Sequence, residues 1–277
     1  MTDEEIVSGA WKIRDERWGY IWGKYGQVWT AADQKAATRD TTVKYGPRWI
    51  GQRVADCSGM IRRIFVDHGL SITHSSRTQY TNYCQHKGEL KNGFRTDGVP
   101  LVPGTGVFLA DKNGGMHHVG LYVGGGVCIE EKGTQWGCVE SGIEHWDHWG
   151  EWRAVKYTGK VKVRQMQTVK RGSAGEYVQE LQRKLNLLGF DAGKEDGICG
   201  SQTVKAITRF QQYAGLDADG ICGSQTWAAI NAEFDTPDID VPPEPDADGI
   251  GEALTILDGI GAEIERLKVK LEAMHNV

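Results

Sequence analysis

The sequence has little of what would direct it to a membrane or a nucleic acid. No apolar run approaches the roughly 18 residues that cross a bilayer, so membrane insertion is not expected. Lys and Arg (32) are outnumbered by Asp and Glu (37), the formal net charge is -5, and the basic residues form no long run. A surface built to neutralise phosphates is therefore excluded, and nucleic acid with it. The six cysteines contain no C-x-x-C pair, so neither a disulfide framework nor a structural zinc site is expected. Histidines in "MHHV" and "HWDHW" lack a partner set at zinc-ligand spacing; no metal and no other cofactor is expected. The opening "MTDEEIVSGAWK" carries acids where a secretory signal has a basic segment and an apolar core, which predicts synthesis in a cytoplasm without export.

What is present divides the 277 residues into unlike parts. Residues 1–158 are rich in Trp, Gly and His, with helical spacing early and β-type runs such as "GTGVFLAD" and "HHVGLYVGGG" later, a pattern of the α+β class. Ile6, Ala10, Ile13 and Arg17/Trp18 predict a helix over 3–25, a second helix begins near Cys57, and residues 27–54 show no period and read as a long loop. Across 166–232 a repeat takes over: "DGICGSQT" occurs at 196–203 and again at 219–226, between amphipathic stretches that predict a three-helix module with Ser201 and Ser224 as N-caps. Cys199 and Cys222 fall at equivalent places in the two copies and read as small core fillers. Residues 233–248 are Pro- and Asp-rich and read as an extended linker. In 249–277, Ile250, Leu257, Ile264 and Leu271 recur every seven residues, with Ala253, Ile260, Leu267 and Met274 three later, which predicts a coiled-coil-like helix and a homo-oligomer through 250–277.

The chemistry concentrates in "VADCSGMIRRIF". Cys57 sits at the start of an apolar helical pattern, where backbone N–H groups and the helix dipole favour a thiolate, and the polar flanks suit a buried structural thiol poorly. Ser58 and Gly59 would leave room for a substrate backbone, and Asp56 reads as the helix cap. A thiol nucleophile needs an imidazole to take its proton. His117 and His118 point to opposite faces of a strand, so at most one of them can serve Cys57. His145 and His148 read as aromatic core edge or surface.

Residues 166–232 resemble a type 1 peptidoglycan-binding domain through "VKRGSAGEYVQELQRKLNLLGF" and both D-G-x-x-G-x-x-T turns. Most of residues 8–158 resembles the NlpC-type, papain-like cell-wall cysteine peptidases through "GYIWGKYG", "DCSGM" and "HVGLYVGGGVCIEEKGTQWG". That resemblance implies Cys57 as nucleophile, His118 as general base and later acid, Glu130 as the residue orienting His118 where many members have a second histidine, and Tyr20 lining the substrate pocket. It implies peptidoglycan as the partner, and cleavage of the stem-peptide amide between D-glutamate and the diamino acid. The alternatives are an N-acetylmuramoyl-L-alanine amidase and a non-catalytic wall-binding protein. A wall hydrolase held in the cytoplasm until the membrane is opened resembles a phage or prophage endolysin.

Overall fold

Thr2 and Glu5 satisfy each other's backbone amides in a capping box and so start α1 (Asp3–Asp15). The computed structural model describes residues 1–164 and 167–233. Ile6, Ala10 and Ile13 share the buried face of α1, as their spacing predicts, but the helix stops at Asp15 rather than near residue 25. Arg17 turns the chain at φ 56°; its amide donates to Arg14 O and the Trp18 amide to Ile13 O, the paired bonds that close a helix end.

Residues 27–54 are not one loop. After β1 (Gly19–Tyr20) come β2 (Tyr25–Val28), α2 (Ala31–Ala36), α3 (Asp40–Tyr45), a 3-10 turn (Gly46–Trp49) and β3 (Arg53–Ala55). Elements of two to six residues are too short to show a period, and what fixes them is local, as in the Thr30–Asp33 capping box of α2. β3 pairs parallel with β1 and antiparallel with β2.

α4 (Cys57–Asp67) follows directly, capped by Asp56, whose carboxylate accepts from the Gly59 amide at 2.7 Å. Met60, Ile61, Ile64 and Phe65 are buried, each contributing about 2 kcal/mol of hydrophobic stabilisation. They meet Val119, Leu121 and Ile129 in one core cluster, so α4 rests on two strands of the sheet that follows. After the short α5 (Ser76–Thr78), that sheet comprises β4 (Cys84–Lys91), β5 (Phe94–Arg95), β6 (Gly106–Ala110), β7 (Met116–Gly124), β8 (Val127–Gly133), β9 (Gly137–Gly142) and β10 (His148–Trp152). Its order is β5-β4-β10-β6-β7-β8-β9, with antiparallel pairing throughout. Helices first and an antiparallel sheet after make this domain α+β.

The second domain is the three-helix module: α6 (Glu176–Leu187), α7 (Ser201–Tyr213) and α8 (Ser224–Glu233). Its internal repeat is a repeated clamp. Gln182 donates to Asp196, Ile198 O and Thr203 and accepts from the Gly197 amide; Gln211 does the same to Asp219, Ile221 O, Thr226 and Gly220. Ser201 and Ser224 are the first helical residues rather than N-caps, because extended Gly200 takes the cap position of α7 and Ser224 itself begins α8. Cys199 and Cys222 are buried thiols, and none of the six cysteines is in a disulfide.

The two domains are docked through buried charge. Arg183 donates to Cys138 O and pairs with Glu180 at 2.9 Å; Lys184 donates to Glu140 O and to Asn231 Oδ1; Arg14 pairs with both Glu140 and Glu180. Val139 of β9 completes the apolar core of the helical domain. No helix among the described residues is long and apolar enough to cross a membrane. The expected linker at 233–248, apart from Glu233, and the heptads of 249–277 lie outside the described residues.

Candidate active site

Register brings His118 and Glu130 together. Leu121 of β7 pairs with Ile129 of β8, which sets Gly120 beside Glu130 and His118 two residues further along the same face. His118 Nε2 lies 2.7 Å from Glu130 Oε2, and both side chains are buried. Burial alone would raise the Glu130 carboxyl, but the hydrogen bond and charge of His118, with Lys132 and His145 behind them, hold it down to about 2. An ionised carboxylate can only accept, so Nε2 carries the proton and Nδ1 of the neutral ring is the basic nitrogen. Nδ1 is buried with no hydrogen-bond partner among the described residues, the position from which a thiol proton can be taken.

The imidazole is also fixed from its face. Trp146 stacks on it at 5.5 Å and 10° between planes, and Gly120 makes the room: a Cβ there would come within 2.8 Å of the indole. His145 packs on the same indole at 4.8 Å and brings Nε2 to 3.9 Å from Glu130 Oε1. His145 therefore borders the site instead of lying apart from it, and Trp146 is a positioning residue that periodicity could not reveal. The usable signal was the glycine two residues after His118, set between Val119 and Leu121 in the strand interior. His117 is only half-buried, and His148 pairs with Asp147 away from this ring.

Cys57 is the first residue of α4, the helix that rests on β7 and β8. The Asp56 carboxylate behind it is tied on every side: it accepts from the amides of Gly23 and Gly59, from Ser58 Oγ, and from His74 Nε2 at 2.8 Å. Burial works against its ionisation, yet His74 and the two amides keep its pKa below the usual value. Ser58 and Gly59 are both packed at the start of α4. Ser58 is buried in the cap, and a Cβ on Gly59 would lie 2.1 Å from Lys24 O, so that glycine serves close packing. Tyr20 is buried, its hydroxyl has no partner among the described residues, and burial together with the neighbouring Cys57 and Asp56 raises its pKa well above the ordinary value. Glu131 faces away from Glu130, as alternation requires, but it too is buried with both oxygens unpartnered among the described residues, and burial plus the Asp56 charge raises its pKa well above the ordinary carboxylate value.

An α+β domain with a helix-opening cysteine and a buried His–carboxylate pair is thus joined to a helical repeat module. Residues 42–152 match the NlpC/P60 family model and residues 174–230 match a putative peptidoglycan binding domain. The chain carries an NlpC/P60 domain followed by a type 1 peptidoglycan-binding domain. Among solved structures, the SleB N-terminal domain is 38% identical over 25% of this chain and 96% of its own, with a TM-score of 0.25. The NlpC/p60 domain of the peptidoglycan hydrolase SagA is 18% identical over 55% of this chain and 99% of its own, with a TM-score of 0.35. RipD from Mycobacterium tuberculosis, described as a non-catalytic NlpC/p60 domain protein adapted to peptidoglycan binding, is 16% identical over 53% of this chain and 96% of its own, with a TM-score of 0.33.

Proposed function

We propose that this protein hydrolyses the amide bond between D-glutamate and the diamino acid in peptidoglycan stem peptides, through an acyl-enzyme on Cys57. The observation that carries the reading is the buried His118–Glu130 pair with Nε2 engaged and Nδ1 open, on strands against which the Cys57 helix packs. Nδ1 takes the thiol proton, and the sulfur attacks the amide carbonyl. The Cys57 backbone N–H, at the positive end of α4, faces the oxyanion that forms. His118 then protonates the leaving amine, and water attacks the thioester to release the acid and restore the thiol. Glu130 stabilises the imidazolium between these steps, and Trp146 holds the ring plane. The Tyr20 hydroxyl is a buried hydrogen-bonding group beside Cys57 that substrate can engage.

On the same reading the protein acts in lysis as a phage or prophage endolysin, stored in the cytoplasm and reaching the wall once the membrane is opened. The helical domain holds it on its insoluble substrate, and self-association through 250–277 adds avidity. The test is digestion of purified peptidoglycan by wild type and Cys57→Ala, with fragments identified by mass spectrometry. Fragments ending at D-glutamate, from wild type alone, support the proposal. Free N-terminal alanine on the stems would replace it with the amidase reaction, and no fragments from either protein would leave a wall-binding protein.

A further inference from the structure

A groove of about 270 Å³ opens where the two domains meet. The catalytic side contributes Trp18, Arg48, Trp49 and the half-buried Trp136 of the β8–β9 turn; the helical side contributes Arg183 and Glu195. Three of the chain's ten tryptophans thus face one depression.

The Trp49 indole is set before any ligand arrives, and Trp18, 5% exposed, underlies the groove as part of the catalytic domain's core. Trp49 lies across Gly19 and Gly137, where a Cβ would come within 2.3 and 2.7 Å of its ring, and its Nε1 donates to Thr134 O at 2.7 Å. Trp18 donates to Glu16 Oε2 at 2.9 Å. Rigid, amphipathic ring faces bind with little loss of side-chain freedom. The charges are unequal. Glu195 is neutralised by Arg17 at 2.9 Å and Arg183 by Glu180, which leaves exposed Arg48 as surplus positive charge in a chain whose net charge is -5. Its Nη1 donates to Gln135 O at 2.5 Å, and its guanidinium lies 6.0 Å from the Trp49 ring. Trp18 is two residues from Tyr20 along extended chain, about 7 Å.

We propose that this interdomain groove is a binding subsite for the glycan strand of peptidoglycan. An amino-sugar ring stacks on the partly exposed indoles of Trp49 and Trp136, and the carboxylate of its lactyl-linked peptide pairs with Arg48. The inference rests on the wall-hydrolase reading and deepens it: the sugar is held in the groove while its stem runs toward Tyr20 and Cys57. Since the walls come from both domains, docking through Arg14, Glu180 and Arg183 assembles the subsite.

The test uses the full chain with Cys57→Ala, so that nothing turns over, titrated with a soluble disaccharide bearing its stem peptide. Affinity and stoichiometry are read by calorimetry, and groove occupancy by tryptophan fluorescence. Arg48→Glu, at an exposed side chain, is expected to raise Kd about tenfold, the loss of one charge-assisted pair, and Trp136→Ala by a similar factor. Phe94→Ala, on the exposed β4–β5 hairpin, is expected to leave Kd unchanged. An unchanged Kd in Arg48→Glu and Trp136→Ala would overturn the proposal. Cleavage of the free stem peptide by wild type is measured separately: its absence with sugar binding intact would overturn the hydrolase reading and leave the subsite standing.

Discussion

Glu130→Gln isolates the charge that the candidate site stores. The substitution keeps the shape and a hydrogen-bonding oxygen near His118 Nε2 but removes the negative charge. Glu130 is buried and its pKa is drawn from the ordinary 4.5 to about 2. That difference, at about 1.4 kcal/mol per decade of proton affinity, corresponds to about 3 kcal/mol of stability. Because the folded value is the depressed one, the contribution is complete above the unfolded value near 4.5 and is lost as pH falls toward 2. Urea unfolding of wild type and Glu130→Gln, followed by tryptophan fluorescence at pH 7, 5 and 3, is expected to show a gap of about 3 kcal/mol at pH 7 that narrows steadily below pH 4.5. Catalysis should fall as well, through kcat more than KM, since the carboxylate acts on the imidazolium and not on substrate. A gap that stays constant with pH, or no gap at pH 7, would refute the assignment of Glu130 as an ionised partner of His118.

Three further outcomes are expected. Glu131 is a carboxyl whose folded pKa is raised, so its burial costs stability increasingly as pH climbs above the unfolded value; Glu131→Gln should melt higher than wild type at pH 8, with the difference shrinking toward pH 4.5, and equal shifts at both pH values would count against it. Gly59→Ala drives a Cβ against Lys24 O and should cost about 3 kcal/mol in urea unfolding, whereas an unperturbed variant would show that the α4 start can relax. Lys184→Met strips the donor from Glu140 O and Asn231 Oδ1, so it should cost about 2 kcal/mol and speed proteolysis of the segment between β10 and α6; unchanged cleavage would show that the docking does not depend on this lysine.

Much of this was legible in one dimension because it is local. A capping residue before a helix, as with Asp56 and Cys57, is chosen by neighbours one to three positions away. The alternation that sets Glu130 and Glu131 on opposite faces follows from the two-residue period of a strand, whereas the meeting of Glu130 with His118 waits on the register of β7 against β8. The repeated turn at 196–203 and 219–226 announced the helical module for the same reason. The end of α1 was not legible, since the chain turns at an arginine in a conformation that glycine usually fills. Nor were the short elements of 27–54, which carry too few residues for a period to emerge.

The sequence by itself determined the α+β class, the helix-opening cysteine, the alternation that parts His117 from His118 and Glu130 from Glu131, and the repeat behind them, because each depends on spacing along the chain; the pairing of His118 with Glu130 was implied by family resemblance alone. Tertiary structure alone decided which nitrogen of His118 is open, that Trp146 lies on its face, that Gly59 packs closely on Lys24 O, and that Arg14, Glu140, Glu180 and Arg183 weld two domains around a tryptophan-lined groove. Those contacts join residues far apart in sequence, and burial, which sets the charge state of each carboxylate, exists only once the chain has closed around them.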